Sequence, residues 1–144
     1  MVVLIDTNVM MNVLTGRQDP FLASSRQIID LCSRHILNGC VAFHSLPTIW
    51  YLLRKVFSDE QTRYLLINAS NIMRIVHAEQ RQVREALENK SFRDFEDCLQ
   101  DKCTQSAGAQ YIVTCNIKDF RNAETRAVTP TEMLEIYRQS EGQL

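Results

Sequence analysis

The sequence lacks an excess of positive charge and lacks any long apolar run. Sixteen Lys and Arg residues face seventeen Asp and Glu residues, which gives a formal net charge of -1. Domains that coat nucleic-acid phosphates usually carry excess positive charge, although bound cations can also neutralise phosphates locally. No apolar run approaches the roughly 18 residues of a membrane span, so we expect no membrane partner.

Cysteine and histidine are sparse and lack the spacing of a disulfide framework or a zinc site. The five cysteines include no C-x-x-C pair, their number is odd, and the three histidines lie far apart. The first residues, MVVLIDTN, are too short and too acidic a segment for a targeting sequence. We therefore expect reduced thiols and a cytoplasmic location.

Glycine and proline are also few, and they form no linker. The chain has 144 residues, four Gly and three Pro, and 45% of its residues are hydrophobic. It contains no repeat and no block of like charge, and a chain of this length suits one domain. The sequence predicts a single domain over residues 1–144.

Short apolar runs alternate with amphipathic segments along the chain. The runs predict strands at residues 2–5, 40–43, 72–76 and 111–114, with a short fifth strand at Val128. Helices are predicted at residues 8–14, 20–37, 47–57, from 59 onward, 79–87, 94–107 and 130–137. Asp19, Asp59 and Thr129 are the predicted caps of the second, fourth and last of these helices. This alternation indicates an α/β three-layer sandwich, in which a short parallel central sheet of four or five strands is flanked by helices.

Acidic side chains are predicted to meet at one edge of this sheet. Asp6 directly follows the first strand and Asp119 follows the fourth, while Asp94, Glu96 and Asp97 begin a helix. Sites in parallel sheets form outside the carboxyl ends of the strands. Carboxylates gathered there repel one another unless a cation lies between them, and Mg²⁺ or Mn²⁺ suits such oxygen ligands. Carboxylate-bound ions of this kind are the usual means of phosphodiester hydrolysis.

Three segments occur in order over nearly the whole chain: IDTNV at 5–9, DFEDCLQ at 94–100 and IVTCNIKDF at 112–120. Together they resemble the PIN domain, a family of metal-dependent ribonucleases that includes the VapC-type toxins. The resemblance implies Mg²⁺ or Mn²⁺ as cofactor, bound by Asp6, Asp97 and Asp119, with Asn116 as a further catalytic residue. It also implies RNA as substrate, a small antitoxin protein as partner, and a homodimer.

Other residues are expected to support this site. Thr114, Asn8 and Thr48 match supporting positions, and Lys118 and Arg121 flank the site, where they could bind substrate phosphates. Two positions depart from the family pattern. Asn116 stands where many members have Asp, and Thr48 is the nearest match to an acid that many members carry near the start of the third helix. The acidic set is therefore smaller than a full one.

Each acidic residue also has a purely structural interpretation. Asp6 could cap the following helix, Asp119 could be a turn residue, and the acids at 94–97 could complement a helix dipole. On that helix the predicted buried stripe leaves Asp97 directed away from the core; its members are Phe95, Leu99, Cys103 and Ala107.

Three functions remain open from the sequence. The first is a metal-dependent endoribonuclease, the toxin of a toxin–antitoxin pair. The second is a catalytically weak or inactive PIN-like RNA-binding domain, in which Thr48 and Asn116 mark lost metal capacity. The third is a phosphotransfer-type α/β domain, which ranks last because Asp6 has no acidic neighbour.

Overall fold

A five-stranded parallel sheet forms the centre of the protein, whose computed structural model describes residues 1–142. The strand order is β3-β2-β1-β4-β5, and every neighbouring pair is parallel. The strands are β1 (Val2–Ile5), β2 (Asn38–Ala42), β3 (Arg74–Val76), β4 (Tyr111–Val113) and β5 (Arg126–Val128). The last two positions of the predicted domain 1–144 lie outside the described residues.

Helices connect the strands and cover the sheet. Within the described residues they are α1 (Thr7–Thr15), α2 (Leu22–Ser33), α3 (Ser45–Leu53), α4 (Asp59–Ile72), α5 (Gln80–Glu88), α6 (Phe95–Ala107) and α7 (Pro130–Glu141). A short 3₁₀ helix, Ile117–Phe120, follows β4, where the sequence predicted only a loop. No helix of residues 1–142 has the length and apolar character needed to cross a membrane.

Alternating side chains of the strands build a core on each face of the sheet. Val3 and Ile5 of β1 pack into a core that α1, α2, α3, α4 and α7 cover, whereas Leu4 packs into a second core under α5 and α6. Such alternation follows from the two-residue period of a strand. The predicted three-layer α/β sandwich is therefore confirmed.

Several predicted helix starts need correction. Helix α2 begins at Leu22, because Asp19 accepts a hydrogen bond from the backbone of Phe21 at 2.8 Å and so closes a turn before the helix. Helix α4 is capped by Ser58, which forms a capping box with Gln61, and not by Asp59. The predicted cap of α7 is confirmed, since Thr129 accepts from the N–H of Glu132 and Pro130 occupies the first turn.

The buried face of α6 combines polar and apolar side chains, and the predicted apolar stripe is correct except at Phe95, since Leu99, Cys103 and Ala107 pack into the core. Phe95 is 41% exposed, whereas Gln100, Asp101 and Lys102 are buried. These three side chains contact different parts of the fold. Gln100 contacts Asp6, which follows β1, and helix α3. Asp101 contacts the segment before β5, and Lys102 contacts helix α5. Helix α6 is thus fastened to its surroundings by hydrogen bonds as well as by apolar packing.

Candidate active site

Asp6 lies at the carboxyl end of β1 and caps α1. Its backbone N–H donates to the carbonyl of Val113 in β4 at 3.0 Å, and its Oδ1 accepts from the N–H of Thr7 at 2.8 Å. The capping role considered from the sequence is therefore correct. The side chain is only 6% exposed, and a carboxylate this buried needs more partners than a single cap provides.

Those partners come from β4 and α6. The hydroxyl of Thr114 donates to Oδ2 of Asp6 at 2.8 Å, and Nε2 of Gln100 donates to Oδ1 at 3.1 Å. Thr114 Oγ in turn accepts from the N–H of Asn116 at 3.1 Å and from the side-chain amide of Asn8 at 3.3 Å. The structure thus brings four of the predicted residues, Asp6, Asn8, Thr114 and Asn116, into one hydrogen-bonded group.

Asp97 and Asp119 belong to the same electrostatic cluster as Asp6. The pKa of Asp97 is raised to about 7, first by burial and then by the negative charges of Asp6, Asp94, Asp119 and Glu96. The pKa of Asp6 is also raised, chiefly by burial and in part by the charge of Asp119. Carboxylates that raise one another's pKa in this way are stabilised in their charged form by a cation bound between them.

The geometry of α6 explains how Asp97 reaches this edge. A helix that leads into a parallel strand runs antiparallel to that strand, so α6 begins at the carboxyl edge of the sheet and ends near the opposite edge. Asp94 caps its first turn by accepting from the N–H of Glu96 at 2.9 Å. The helix-dipole interpretation therefore holds for Asp94, while Asp97 faces the other acids.

A cleft of about 700 Å³ opens above the acids. Acidic and basic side chains share its walls, and its polar and charged lining residues are Ser91, Arg93, Asp94, Asp97, Asn116, Lys118, Asp119, Arg121 and Asn122. The amide of Asn116 donates to Oδ2 of Asp119 at 2.8 Å, which fixes the first residues of the 3₁₀ helix. The cleft thus combines three acids, Asp94, Asp97 and Asp119, with a basic rim of three exposed residues, Arg93, Lys118 and Arg121.

The carboxylates of Asp6, Asp97 and Asp119 have the chemistry of a Mg²⁺ or Mn²⁺ site, although they do not form a closed cage. Within residues 1–142, no three His, Cys, Asp or Glu side chains lie close enough together to hold a metal ion as placed. Mg²⁺ characteristically binds through one or two carboxylates and takes its remaining oxygens from water and substrate phosphate. The donor set of Asp6, Asp97 and Asp119 fits that mode of binding.

Thr48 does not join the hydrogen-bonded group around Asp6. Within the described residues it forms no side-chain hydrogen bond and does not line the cleft, so its supporting role stays a prediction. Helix α3 reaches Asp6 by another route, since Ser45 accepts a hydrogen bond from Gln100 at 3.0 Å. Sequence reasoning missed Gln100, although it lies three residues after Asp97, a spacing that places both on neighbouring parts of the helix surface.

The sequence also gave too little weight to the segment before α6. Arg93 lines the cleft beside Lys118 and Arg121. Asn122 donates to the carbonyl of Ser91 at 2.7 Å, so the segment before α6 is joined to the segment after the 3₁₀ helix. The only available signal was the position of Arg93 next to the acidic helix start.

Cys115 lies next to the site without the features of a nucleophile. Burial raises the pKa of its thiol to about 11, so the reactive thiolate is scarce at neutral pH. Its sulfur accepts a hydrogen bond from the amide of Asn12 at 3.4 Å, and no histidine contacts it within the described residues. A packing role for Cys115 therefore agrees with the structure.

The sequence matches a known family over most of its length. Residues 2–118 match the family model of the PIN domain. The chain belongs to the PIN domain family. This membership agrees with the predicted resemblance and leaves the phosphotransfer-type interpretation without support. None of the curated proteins matches the chain significantly.

Solved PIN-like structures share the fold at low sequence identity. The VapBC2 structure from Rickettsia felis, described as bound to a DNA fragment from its promoter, is 18% identical over 90% of this chain and 98% of that chain, with a TM-score of 0.67. VapC20 of Mycobacterium tuberculosis, described as a sarcin-ricin loop cleaving toxin, is 18% identical over 89% of this chain and 99% of that chain, with a TM-score of 0.69. At this identity the likeness establishes the fold alone.

Proposed function

We propose that this PIN domain is a Mg²⁺- or Mn²⁺-dependent endoribonuclease that hydrolyses phosphodiester bonds in RNA. The observation that carries the proposal is the cleft, where Asp97 and Asp119 lie beside Arg93, Lys118 and Arg121. Hydrolysis of a phosphodiester in RNA needs both kinds of group. A metal-binding acid must lie near the scissile phosphate, and cationic side chains must hold the neighbouring phosphates. The net charge of -1 is compatible with this function because three basic residues line the cleft itself.

The roles of the acidic residues follow from their positions. Asp6, Asp97 and Asp119 would hold the divalent ion, which when bound lowers the pKa of water and stabilises charge on the phosphate. Thr114 and Asn8 keep Asp6 in place through the hydrogen bonds at the end of β4. Asn116 holds Asp119 with its amide and lies at the cleft surface, where it would also contact the substrate.

The basic residues would bind the RNA backbone on either side of the cleavage point. Lys118 and Arg121 flank Asp119, while Arg93 lies on the wall next to Asp94. All three are exposed, so their charges are free to meet phosphates without the energetic cost of desolvating a buried ion.

We further propose that the protein acts in the cytoplasm as the toxin of a toxin–antitoxin pair, with a small protein partner and as a homodimer. The likeness in fold to VapBC2 and VapC20 motivates this proposal. Helices α3 and α4 and the segment between them also expose large apolar side chains, which are Tyr51, Val56, Tyr64 and Ile67. Exposed apolar groups at this density support a protein-binding surface.

The direct test is cleavage of RNA by the purified chain with EDTA, Mg²⁺ or Mn²⁺. Asp6→Asn and Asp97→Asn should each lower metal-dependent cleavage at least about 100-fold, since loss of groups that merely orient metal ligands already costs 10–100-fold. Asp30→Asn is the matched control, because Asp30 is an exposed acid of α2 paired with Arg34 at 3.3 Å. Cleavage that survives in EDTA, or in both site variants, would contradict the proposal.

The second candidate is a PIN domain that binds RNA and cleaves it weakly or not at all. The observation in its favour is that no three His, Cys, Asp or Glu side chains of residues 1–142 lie close enough together to hold a metal ion. The same assay separates the two functions. Binding of RNA by the wild-type chain in EDTA, together with no cleavage of that RNA in Mn²⁺, would support the binding domain.

A further inference from the structure

Gln100 makes two hydrogen bonds from one amide nitrogen. Its Nε2 donates to Oδ1 of Asp6 at 3.1 Å and to Oγ of Ser45 at 3.0 Å, so both amide hydrogens are used. The side chain is 1% exposed and links three elements, since Gln100 belongs to α6, Asp6 follows β1 and Ser45 begins α3. The contact with Asp6 joins residues that are 94 positions apart in the sequence.

The orientation of this amide is determined by Asp6. Turning the amide over would place Oε1 against the carboxylate of Asp6, where two acceptors repel each other. In the observed orientation, Oε1 of Gln100 is buried and has no partner within the described residues. An unpartnered buried oxygen carries an energetic cost that an apolar side chain of the same length would avoid. Glutamine at position 100 therefore provides a hydrogen bond to Asp6 but packs less favourably than an apolar side chain would.

The hydrogen bonds to Asp6 are distributed unequally between its two oxygens. Oδ1 accepts from Thr7 and from Gln100, which uses both of its lone pairs, whereas Oδ2 accepts only from Thr114 among the described residues. Gln100 therefore completes the partners of one oxygen and leaves a lone pair on the other.

We propose that Gln100 is a positioning residue of the site, anchored by Ser45, that holds Asp6 so that Oδ2 is the oxygen that binds the divalent ion. This role rests on the nuclease function proposed above. It deepens that function, because it makes α6 contribute twice to one site: through Asp97, which lines the cleft with Asp119, and through Gln100 one turn later, which sets the orientation of Asp6.

Two buried positions on α6, Gln100 and Lys102, provide a matched pair of variants. Gln100→Met keeps the length of the side chain and removes the donor to Asp6. Lys102→Met makes the same replacement at a buried position whose Nζ pairs with Glu85 of α5 at 3.1 Å and does not contact the site. Both variants lose a buried polar contact, so a loss of stability alone would affect both.

Two readouts separate positioning from folding. The first is the dissociation constant of Mn²⁺, measured by electron paramagnetic resonance without RNA, and the second is kcat and KM for RNA cleavage. Gln100→Met should weaken Mn²⁺ binding about 10- to 100-fold and lower kcat by a similar factor, as expected for a residue that orients a metal ligand, with KM for RNA within about twofold. Lys102→Met should keep the wild-type values of all three.

Ser45→Ala is a second variant for the case in which Gln100→Met does not fold. It leaves the donor in place and removes its anchor, so we expect a smaller loss of Mn²⁺ affinity in the same direction. Wild-type Mn²⁺ affinity in Gln100→Met, or in Ser45→Ala if that variant alone folds, would overturn the inference. Wild-type protein that binds Mn²⁺ without cleaving RNA would refute the nuclease function, and the Mn²⁺ affinities would still decide the role of Gln100. Wild-type protein that does not bind Mn²⁺ would overturn both.

Discussion

The hydroxyl of Thr114 donates a 2.8 Å hydrogen bond to Oδ2 of Asp6 and so joins the ends of two neighbouring strands at the carboxyl edge of the sheet. Thr114 is fully buried, and Asp6 is nearly so. Because both residues directly follow paired strands, the register of the sheet sets the distance between them. A hydroxyl at the end of β4 therefore controls the position of a carboxylate at the end of β1.

Replacing Thr114 by valine should test this contact. Thr114→Val has nearly the same shape and removes the donor, so we expect RNA cleavage to fall about 10- to 100-fold. The free energy of unfolding should fall by about 1–3 kcal/mol, since Oδ2 of Asp6 loses its only described partner. Thr114→Ser keeps the hydroxyl and should retain most of the activity. Equal cleavage rates in the valine and serine variants would show that the hydroxyl has no role.

Asp97 should destabilise the metal-free protein at neutral pH. Its pKa in the folded state is about 7, against 3.8 for the ordinary carboxyl, so between these values the folded protein holds a proton that the unfolded chain does not. The stability of the metal-free protein should therefore fall as pH rises from about 4 to about 7, and the full loss should persist above pH 7.

Asp97→Asn removes this loss. In EDTA at pH 8 the variant should be more stable than wild type by on the order of 1 kcal/mol, a value reduced for solvent screening, which corresponds to a Tm higher by about 3 °C. At pH 4 the two proteins should unfold at the same temperature. Thermal unfolding followed by circular dichroism measures both values, and a variant less stable than wild type at pH 8 would contradict the cause assigned to the raised pKa.

The basic rim should govern affinity for RNA and its dependence on salt. Arg93→Gln, Lys118→Gln and Arg121→Gln should each raise KM for RNA and reduce the slope of log affinity against log salt by about 0.7–1, the value expected for one lost phosphate contact. The kcat values should change much less. Arg34→Gln, on the exposed face of α2, is the control. An unchanged salt slope in all three rim variants would place the RNA elsewhere.

Cys115 should be the thiol that reacts first in the folded protein, and slowly. The other four cysteines are buried, whereas Cys115 is partly exposed. Because its pKa is raised to about 11 from 9.0, its rate of alkylation by iodoacetamide should rise about tenfold for each pH unit between 7 and 10. Peptide mapping identifies the labelled residue. RNA cleavage should survive in Cys115→Ser, and its loss would indicate that the thiol takes part in the reaction.

Much of the architecture could be predicted because local rules determined it. The apolar run of β1 ending at Asp6 and the cap of α7 at Thr129 depend on neighbouring residues alone, and both agree with the structure. The start of α2 was predicted wrongly because Asp19 and Pro20 also suit a turn, and the turn formed. Local signals of equal strength could not decide between these two outcomes.

The parts of the site that follow β1 and β4 could be predicted, including the polar residues Asn8, Thr114 and Asn116. Asp6 and Asp119 follow strands, so the parallel topology alone places them at one edge. The contacts of Gln100 with Asp6 and Ser45 depend on how α6 rotates against the sheet, and no pattern in the sequence reports that rotation. The rim residue Arg93 depends on the path of the segment before α6, which turn chemistry alone does not determine.

The proposed nuclease function requires Asp6, Asp97 and Asp119 to meet around one divalent ion. Crystals soaked in Mn²⁺ and measured at the manganese absorption edge test it directly, because an anomalous difference map locates the ion without reference to activity. We expect a peak within about 2.0–2.6 Å of an oxygen of Asp6 and of at least one of the other two carboxylates. A fully occupied peak at another place, or no peak here at millimolar Mn²⁺, would contradict the account.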